Sequence, residues 1–371
     1  MSTTIQNITH IGDQLLAGDR LSVDDALFLY ENADLFTLGE LANRLNQERN
    51  DRTVFYNINH HINPTNICVN QCRFCAYSKL AGDEGAYEQS LADILSEVSG
   101  AEKKGITEFH IVGGLHPTWP FSFYPTLLQT LRNEHPHITL KAFTAVEIDY
   151  FSQISKLPIK EVLLQLKDSG LEAMPGGGAE IFAPRVRNKI CPEKISGKRW
   201  LEIMTVAHQL EIPTNATMLY GHIETIEDRL DHMGQLRQLQ DQTGGFQVFI
   251  PLAFHATNTD IRKKGETSGI DDLKTLALAR LFLDNFRHIK AYWVMLGEKI
   301  AQVALHFGVN DLDGTVVKER ITHAAGAQSA KGHSEEYIRN LISRADRLPV
   351  ERDTFYHPVD RTHSTMQACH D

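Results

Sequence analysis

Short apolar runs rich in β-branched residues alternate along this chain with longer stretches whose apolar positions recur at helical spacing. Residues 55–62 read as a strand, as do 108–112, 138–145, 171–174, 214–219, 246–252 and 289–294, with a weaker one at 309–312. Residues 90–104 place Leu91, Ile94, Leu95 and Val98 on one helical face, and 200–210, 226–240 and 272–286 keep the same period. Strands alternating with helices imply a parallel sheet in an α/β fold. Roughly seven or eight such units suit a closed (β/α)8-type, TIM-like barrel better than an open sheet. Functional residues then belong at the C-terminal ends of the strands.

Residues 1–54 carry Val23, Ala26, Leu27, Leu29, Leu35, Leu38, Leu41 and Leu45 at helical spacing, which predicts a helical N-terminal extension. The barrel is expected over 55–313. Residues 314–371 are expected to form a helical closing segment, with a helix at 335–345 and a disordered polar tail. The 371 residues, 42% of them hydrophobic, suffice for one large core. No stretch approaches the roughly 20 apolar residues of a membrane span. The first residues lack both a basic start and an apolar run, so the expectation is a cytoplasmic protein without a membrane partner. A formal charge of −10 disfavours a surface that tracks phosphates, and nucleic acid is not an expected partner.

Five cysteines, three of them crowded into Cys68-Val-Asn-Gln-Cys72-Arg-Phe-Cys75, argue against a disulfide framework. Cys191 reads as a plain buried or loop thiol, and Cys369 lies in the tail beside His363 and His370. Soft thiolates suit an iron–sulfur cluster, and three of them on a cubane leave one iron open to another ligand. A zinc site is the competing reading; it needs a fourth ligand, which His60 or His61 on the preceding strand can supply.

Other constellations follow the expected strands. Phe74 and Tyr77 flank Cys75, either packing the loop or bordering a ligand. Gly113 and Gly114 permit close backbone approach to a ligand, or simply form a turn. Glu147 is either a ligand-binding carboxylate or a first-turn helix residue favoured by the dipole. Gly176, Gly177 and Gly178 exclude regular structure, and Glu180 follows them; no Gly-Lys-Ser/Thr follows, so this is not a phosphate loop. Asn215, Thr217 and His222, then Gln247 and His255, place polar groups on two strands and their exits, which suggests a wet pocket. Arg185 and Arg187, with Lys189, and Arg262, with Lys263 and Lys264, are candidates for carboxylate recognition or plain solvated cationic faces.

Cys68–Cys75, the His110-Ile-Val-Gly-Gly-Leu-His-Pro117 segment and Met174–Phe182 together resemble the radical S-adenosylmethionine (SAM) enzymes of the menaquinone futalosine route. The resemblance spans nearly the whole chain, including Ile321–Ala327, and is closest to the aminofutalosine synthases. Val112-Gly-Gly-Leu115 and Cys75-Ala-Tyr-Ser78 favour these over the dehypoxanthine futalosine cyclases and the FO synthases. The resemblance implies a 4Fe–4S cluster on Cys68, Cys72 and Cys75. It implies SAM bound near Phe74, Tyr77, Gly113, Gly114, Glu147, Gly176, Gly177, Gly178 and Glu180. It implies an enolpyruvyl benzoate substrate and a low-potential electron donor such as flavodoxin or ferredoxin. Two substrate carboxylates would need cationic or amide partners, for which Arg185, Arg187 and Arg262 are equal candidates, with Asn215, Thr217, His222, Gln247 and His255 nearby in sequence.

Overall fold

The structure, a computed structural model, describes residues 3–261 and 267–361. Three helices lead in: α1 (Thr3–Leu16), α2 (Val23–Asn32) and α3 (Leu35–Asn50). Ser22 and Asp34 start α2 and α3 by accepting first-turn backbone N–H groups on their side-chain oxygens.

The strands are β1 (Thr53–Asn57), β2 (Asn59–Ile62), β3 (Glu108–Ile111), β4 (Thr139–Ala142), β5 (Thr214–Tyr220), β6 (Phe246–Ala253), β7 (His288–Ile289), β8 (Asp311–Gly314) and β9 (Leu348–Glu351). Their ladders are parallel and form three small sheets, in the orders β8-β1-β9, β2-β3-β4 and β5-β6-β7. Isolated parallel bridges run between the sheets: Lys141 to Ala173, Met174 to Thr214, Lys290 to Asp311, and His60 to Val317. Between β2 and β5 come α4 (Leu91–Val98), α5 (Phe123–Glu134), α6 (Ala145–Ser155), α7 (Ile159–Asp168), α8 (Pro184–Ile190) and α9 (Gly197–Gln209). After β5 follow α10 (Ile226–Thr243), α11 (Gly269–Phe282), α12 (Trp293–Leu296), α13 (Glu298–Ala304), α14 (Ile321–Ala324) and α15 (Glu335–Ser343). The largest fully buried side chains, among them Trp200, Trp293, Phe109, Phe143 and Phe249, form one continuous apolar core. No helix of the described residues is long and apolar enough to cross a membrane.

Several expected elements differ. The strand over 55–62 is two strands, because β1 pairs with β8 and β9 while β2 pairs with β3. The helix over 90–104 ends at Val98, and Glu102–Lys104 forms a separate 3-10 turn. The stretch 171–174 makes only isolated bridges. The strand over 289–294 stops at Ile289: Trp293 turns inward, is fully buried and donates its indole N–H to Gly314 O at 2.9 Å, so helix α12 begins there. The helix over 272–286 begins earlier, where Ser268 caps it, and ends at Phe282.

The closing segment needs the largest correction. It contains α15, but also β9, which adds to the edge of β1 from Thr53–Leu348 to Tyr56–Glu351. Pro349 is tolerated because edge strands leave one row of backbone donors unused. Just beyond β9, buried Arg352 meets buried Asp311 at 2.9 Å, and Tyr356 donates to the same carboxylate at 2.6 Å. The expected polar tail, with His363, Cys369 and His370, lies outside the described residues.

Candidate active site

A cavity of about 340 Å³ opens at the C-terminal ends of the strands. The cysteine loop follows β2, Gly113 and Gly114 follow β3, and Glu147 follows β4. The triple glycine follows the bridged residues Ala173 and Met174, while Asn215 and Thr217 come from β5 itself. The three cysteines, these five glycines, Glu147, Asn215 and Thr217 all line the cavity.

The cysteine loop is held by backbone bonds rather than by regular structure. Cys68 N donates to Lys79 O (3.0 Å), Val69 N to Leu115 O (3.0 Å) and Arg73 N to Ile190 O (2.9 Å). Gly114 is obligatory in this arrangement: a Cβ there would sit 2.2 Å from Ile67 O, immediately before Cys68. Tyr77 closes the loop, donating to Thr65 O at 3.1 Å and meeting Tyr87 Oη at 2.6 Å. Cys68, Cys72 and Cys75 are free thiols on the cavity wall. Burial pushes the Cys68 thiol up and that of Cys72 up to about 12, against the opposing pull of Lys194 on both. Thiolates so placed require a compensating positive charge, and a metal cluster supplies one. Among the described residues no three His, Cys, Asp or Glu side chains converge around a single ion as a zinc site demands. A cubane instead distributes its thiolates over separate irons, so the three-thiol wall fits it.

Glu147 is a first-turn helix residue, one of the two roles anticipated for it, and it also lines the cavity. It closes the capping box of α6, accepting from Thr144 N (2.7 Å) and Thr144 Oγ (2.8 Å). Its other oxygen accepts from Gly113 N (3.2 Å), tying α6 to the glycine turn. Burial outweighs these bonds and pushes its carboxyl up to about 7. At the triple glycine, Gly178 adopts φ +86°, and a Cβ on it would meet Val146 at 2.4 Å. Thr217 Oγ donates to Gly176 O (2.6 Å) and Trp200 Nε1 to Gly177 O (3.2 Å), which fix the loop against β5 and α9. Glu180 accepts from Lys194 at 2.8 Å, and Lys194 Nζ lies 4.7 Å from the centre of the Phe74 ring. Burial pulls the Lys194 ammonium down, but Glu180 and the thiols of Cys72 and Cys191 hold it above its ordinary value.

Two of the proposed arginines, Arg185 and Arg187, do not line the cavity. Arg185 is exposed and paired with Asp228 on α10. Arg187 is buried, donating to the carbonyls of Gly178, Ala179, Ile181 and Ile195; it clamps the glycine loop and has no fork free for a carboxylate. Arg262, with Lys263 and Lys264, lies outside the described residues. His222 is held by Leu219 O (2.9 Å) and Glu224 (3.0 Å), and Gln247 donates to Thr354 O (2.9 Å); neither lines the cavity. His255 does, with Nε2 on Met295 O at 2.9 Å. Cys191 is a buried thiol, as expected.

Sequence reasoning missed Lys194, His110, Tyr292, Asp313 and Glu319, which also line the cavity, and treated His61 only as a zinc ligand. Lys194 sits in the polar run Cys-Pro-Glu-Lys, where nothing in the pattern points inward. His61 and His110 were visible as alternating strand positions, had the facing register been known.

Residues 62–236 match the radical SAM superfamily, and residues 243–365 match the CofH/MqnC C-terminal region. An aminodeoxyfutalosine synthase of Thermus thermophilus is 48% identical over 353 residues, which is 94% of this chain and 95% of that protein. The chain belongs to the radical SAM superfamily. This radical SAM enzyme is also similar to an aminodeoxyfutalosine synthase of Streptomyces coelicolor, at 39% identity over 93% of the chain and 90% of that protein. A 5-amino-6-(D-ribitylamino)uracil–L-tyrosine 4-hydroxyphenyl transferase of Methanococcoides burtonii is 40% identical over 91% of the chain and 95% of that protein. Two solved structures share its fold at 16% identity. The FeFe-hydrogenase maturase HydG of Carboxydothermus hydrogenoformans superposes with a TM-score of 0.74 over 95% of this chain and 81% of its own. Methylornithine synthase (PylB) gives 0.73 over 91% of this chain and 97% of its own. The fold is thus a TIM-like radical SAM domain. Radical SAM enzymes use a 4Fe–4S cluster and SAM, and need an electron donor and a small-molecule substrate.

Proposed function

We propose that this enzyme is an aminodeoxyfutalosine synthase of menaquinone biosynthesis. It transfers the 5′-deoxyadenosyl group of SAM to 3-[(1-carboxyvinyl)oxy]benzoate, giving 6-amino-6-deoxyfutalosine, methionine and bicarbonate. The observation that carries this reading is the 48% identity across 94% of the chain to a synthase of that name. The transferases, at 40% in the example above, support a second reading with tyrosine as substrate.

Cys68, Cys72 and Cys75 are the donor set for the cluster. When bound, the cluster supplies the electron that splits the carbon–sulfur bond of SAM into methionine and the 5′-deoxyadenosyl radical. The protein's share is placement and exclusion. Gly113 and Gly114 bring backbone to the cavity wall where the amino acid end of SAM would sit, and the Gly176–Gly178 turn lines the wall that would border the nucleoside. Glu147 and the Glu180–Lys194 pair supply carboxylate acceptors and an ammonium beside it. Rigid seating matters because the radical carbon must meet the vinyl carbon before it meets a stray C–H bond. We take β1 to β8 and the bridges between their sheets as one (β/α)8-type barrel over 55–313, preceded by the helical extension 1–54 and followed by the closing segment 314–371, whose β9 adds to the edge of β1. The unpaired thiols and an oxygen-labile cluster suit a cytoplasmic setting, with flavodoxin or ferredoxin as reductant.

The test is an anaerobic incubation with SAM, a low-potential reductant and the enolpyruvyl benzoate, read by mass spectrometry. Adenosyl carbon incorporated into the aryl product is expected, with little free 5′-deoxyadenosine. Stoichiometric 5′-deoxyadenosine release would indicate a hydrogen-abstracting relative such as the cyclase. Product from tyrosine and 5-amino-6-(D-ribitylamino)uracil alone would establish the second reading.

A further inference from the structure

The cavity has two levels. Its loop level carries the thiols, the glycines, Glu147 and the Glu180–Lys194 pair; its strand level carries two histidines that none of these groups engage. His61 and His110 are register partners on β2 and β3. Their neighbours His60 and Phe109 face outward, with His60 3.5 Å from Glu97 of α4, so strand alternation aims His61 and His110 into the cavity. The two imidazoles stack with centroids 4.6 Å apart and planes at 13°.

His61 is 7% exposed, and its Nε2 has no hydrogen-bond partner. A buried polar nitrogen left unpaired costs free energy that a ligand oxygen would recover. The acids that face the pair are already engaged. Glu319 accepts from Thr322 N at 2.7 Å and pairs with His323 at 2.9 Å. Asp313 accepts from Lys290 at 3.1 Å. Glu108 is bound to Lys141 at 2.6 Å, its second oxygen 3.9 Å from His110 Nδ1. Burial, and then the facing His110, hold His61 down to about 3 against the opposing pull of Glu319, Asp313 and Glu108, so its ring is neutral and carries one N–H.

We propose that His61 and His110 seat the ring carboxylate of the aryl substrate, with His61 donating from Nε2 to a carboxylate oxygen. The proposal rests on the synthase reading above. In that reaction the vinyl carbon must lie against SAM at the loop level, and the enolpyruvyl carboxylate, bonded to the adjacent carbon, stays with it. The ring carboxylate, meta to the ether oxygen, is the end that projects away toward the strands. Among the described residues lining the cavity, the one lysine or arginine, Lys194, is already on Glu180 at the loop level.

Calorimetric titration of the cluster-loaded, SAM-bound, unreduced enzyme tests the assignment with two ligands. These are 3-[(1-carboxyvinyl)oxy]benzoate and 2-phenoxyacrylate, which lacks only the ring carboxylate. The wild-type enzyme is expected to prefer the benzoate by about 10–100-fold, the worth of a hydrogen bond to a charged group. In His61→Phe that preference should fall to within about threefold, with SAM affinity and melting temperature little changed. His61→Gln, which keeps an N–H near the same place, should recover much of it. His110→Phe, which keeps a stacking ring, should lower the preference as well. A wild-type preference under about threefold, or an undiminished one in both phenylalanine variants, overturns the proposal and leaves the synthase reading standing if turnover persists. Wild-type enzyme that neither binds nor turns over the benzoate removes both. Should His61→Phe fail to fold, the wild-type ratio and His110→Phe still decide.

Discussion

Single residues here do their work by occupying positions that admit no substitute. Cys72 is buried beside Cys191 and Lys194, where a thiol without metal is held protonated. Cys72→Ser is therefore expected to abolish bound iron and sulfide and the visible charge-transfer band, while the melting temperature of metal-free protein changes little; elemental analysis and absorption check both. Gly114→Ala drives a Cβ against the Ile67 carbonyl, which is backbone and cannot swing aside. The cysteine loop must shift, so cluster reconstitution should fall by about tenfold or more, a cost of at least about 1.4 kcal/mol in placement. Glu147 holds its proton more tightly in the folded chain, at about 7, than the ordinary 4.5 of an unfolded carboxyl. The stability this contributes is complete below about pH 4.5 and is lost as pH rises through about 7, by roughly 3 kcal/mol. Denaturant titrations on either side of that window should show the loss, and Glu147→Gln should flatten it.

At the level of elements, the decisive packing is of β9 against β1. The strand closes the chain back on its first strand, and Arg352 beyond it brings a guanidinium to Asp311 on β8, where Lys290 and Tyr356 also converge. Breaking the pair from one side leaves buried Asp311 with the more distant Lys290 and the Tyr356 hydroxyl, so Arg352→Met should cost about 3 kcal/mol in urea denaturation. Adding Asp311→Leu should return part of that loss, since it removes the stranded charge. Arg187 serves the same end on a smaller scale, holding the glycine turn by its carbonyls. A cation that looked ready for a substrate carboxylate instead fixes the loop that borders the cavity.

Across the whole molecule, cluster, cosubstrate and fold are linked by mass action. SAM that binds only the cluster-loaded native state stabilises it by about 2.7 kcal/mol at a hundredfold excess over its dissociation constant. A rise in melting temperature of a few degrees is expected for a chain of this size. Thermal scans of anaerobic protein should show the rise in wild type and lose it in Cys72→Ser. The same linkage ties the N-terminal helices to the site: α3 packs along α11, whose neighbour β6 supplies the cavity residues Ile250 and Leu252.

What the sequence determined by itself is what contiguous residues encode. The cysteine spacing, the glycine turns and the strand–helix alternation each depend on neighbours within a few positions; the cysteines and glycines stand at the cavity, and the alternation holds in order although several element bounds differ. The tertiary structure alone decided which charges face inward. Arg185 turns to Asp228 and Arg187 to backbone carbonyls, while Lys194 and the His61–His110 pair enter the cavity. It also decided that 348–351 is a strand, because a short segment holding a proline acquires that state only when β1 offers it an edge. The physical reason is common to both: a side chain's direction follows from strand register and long-range pairing, and these are properties of contacts between residues tens to hundreds of positions apart rather than of local propensity.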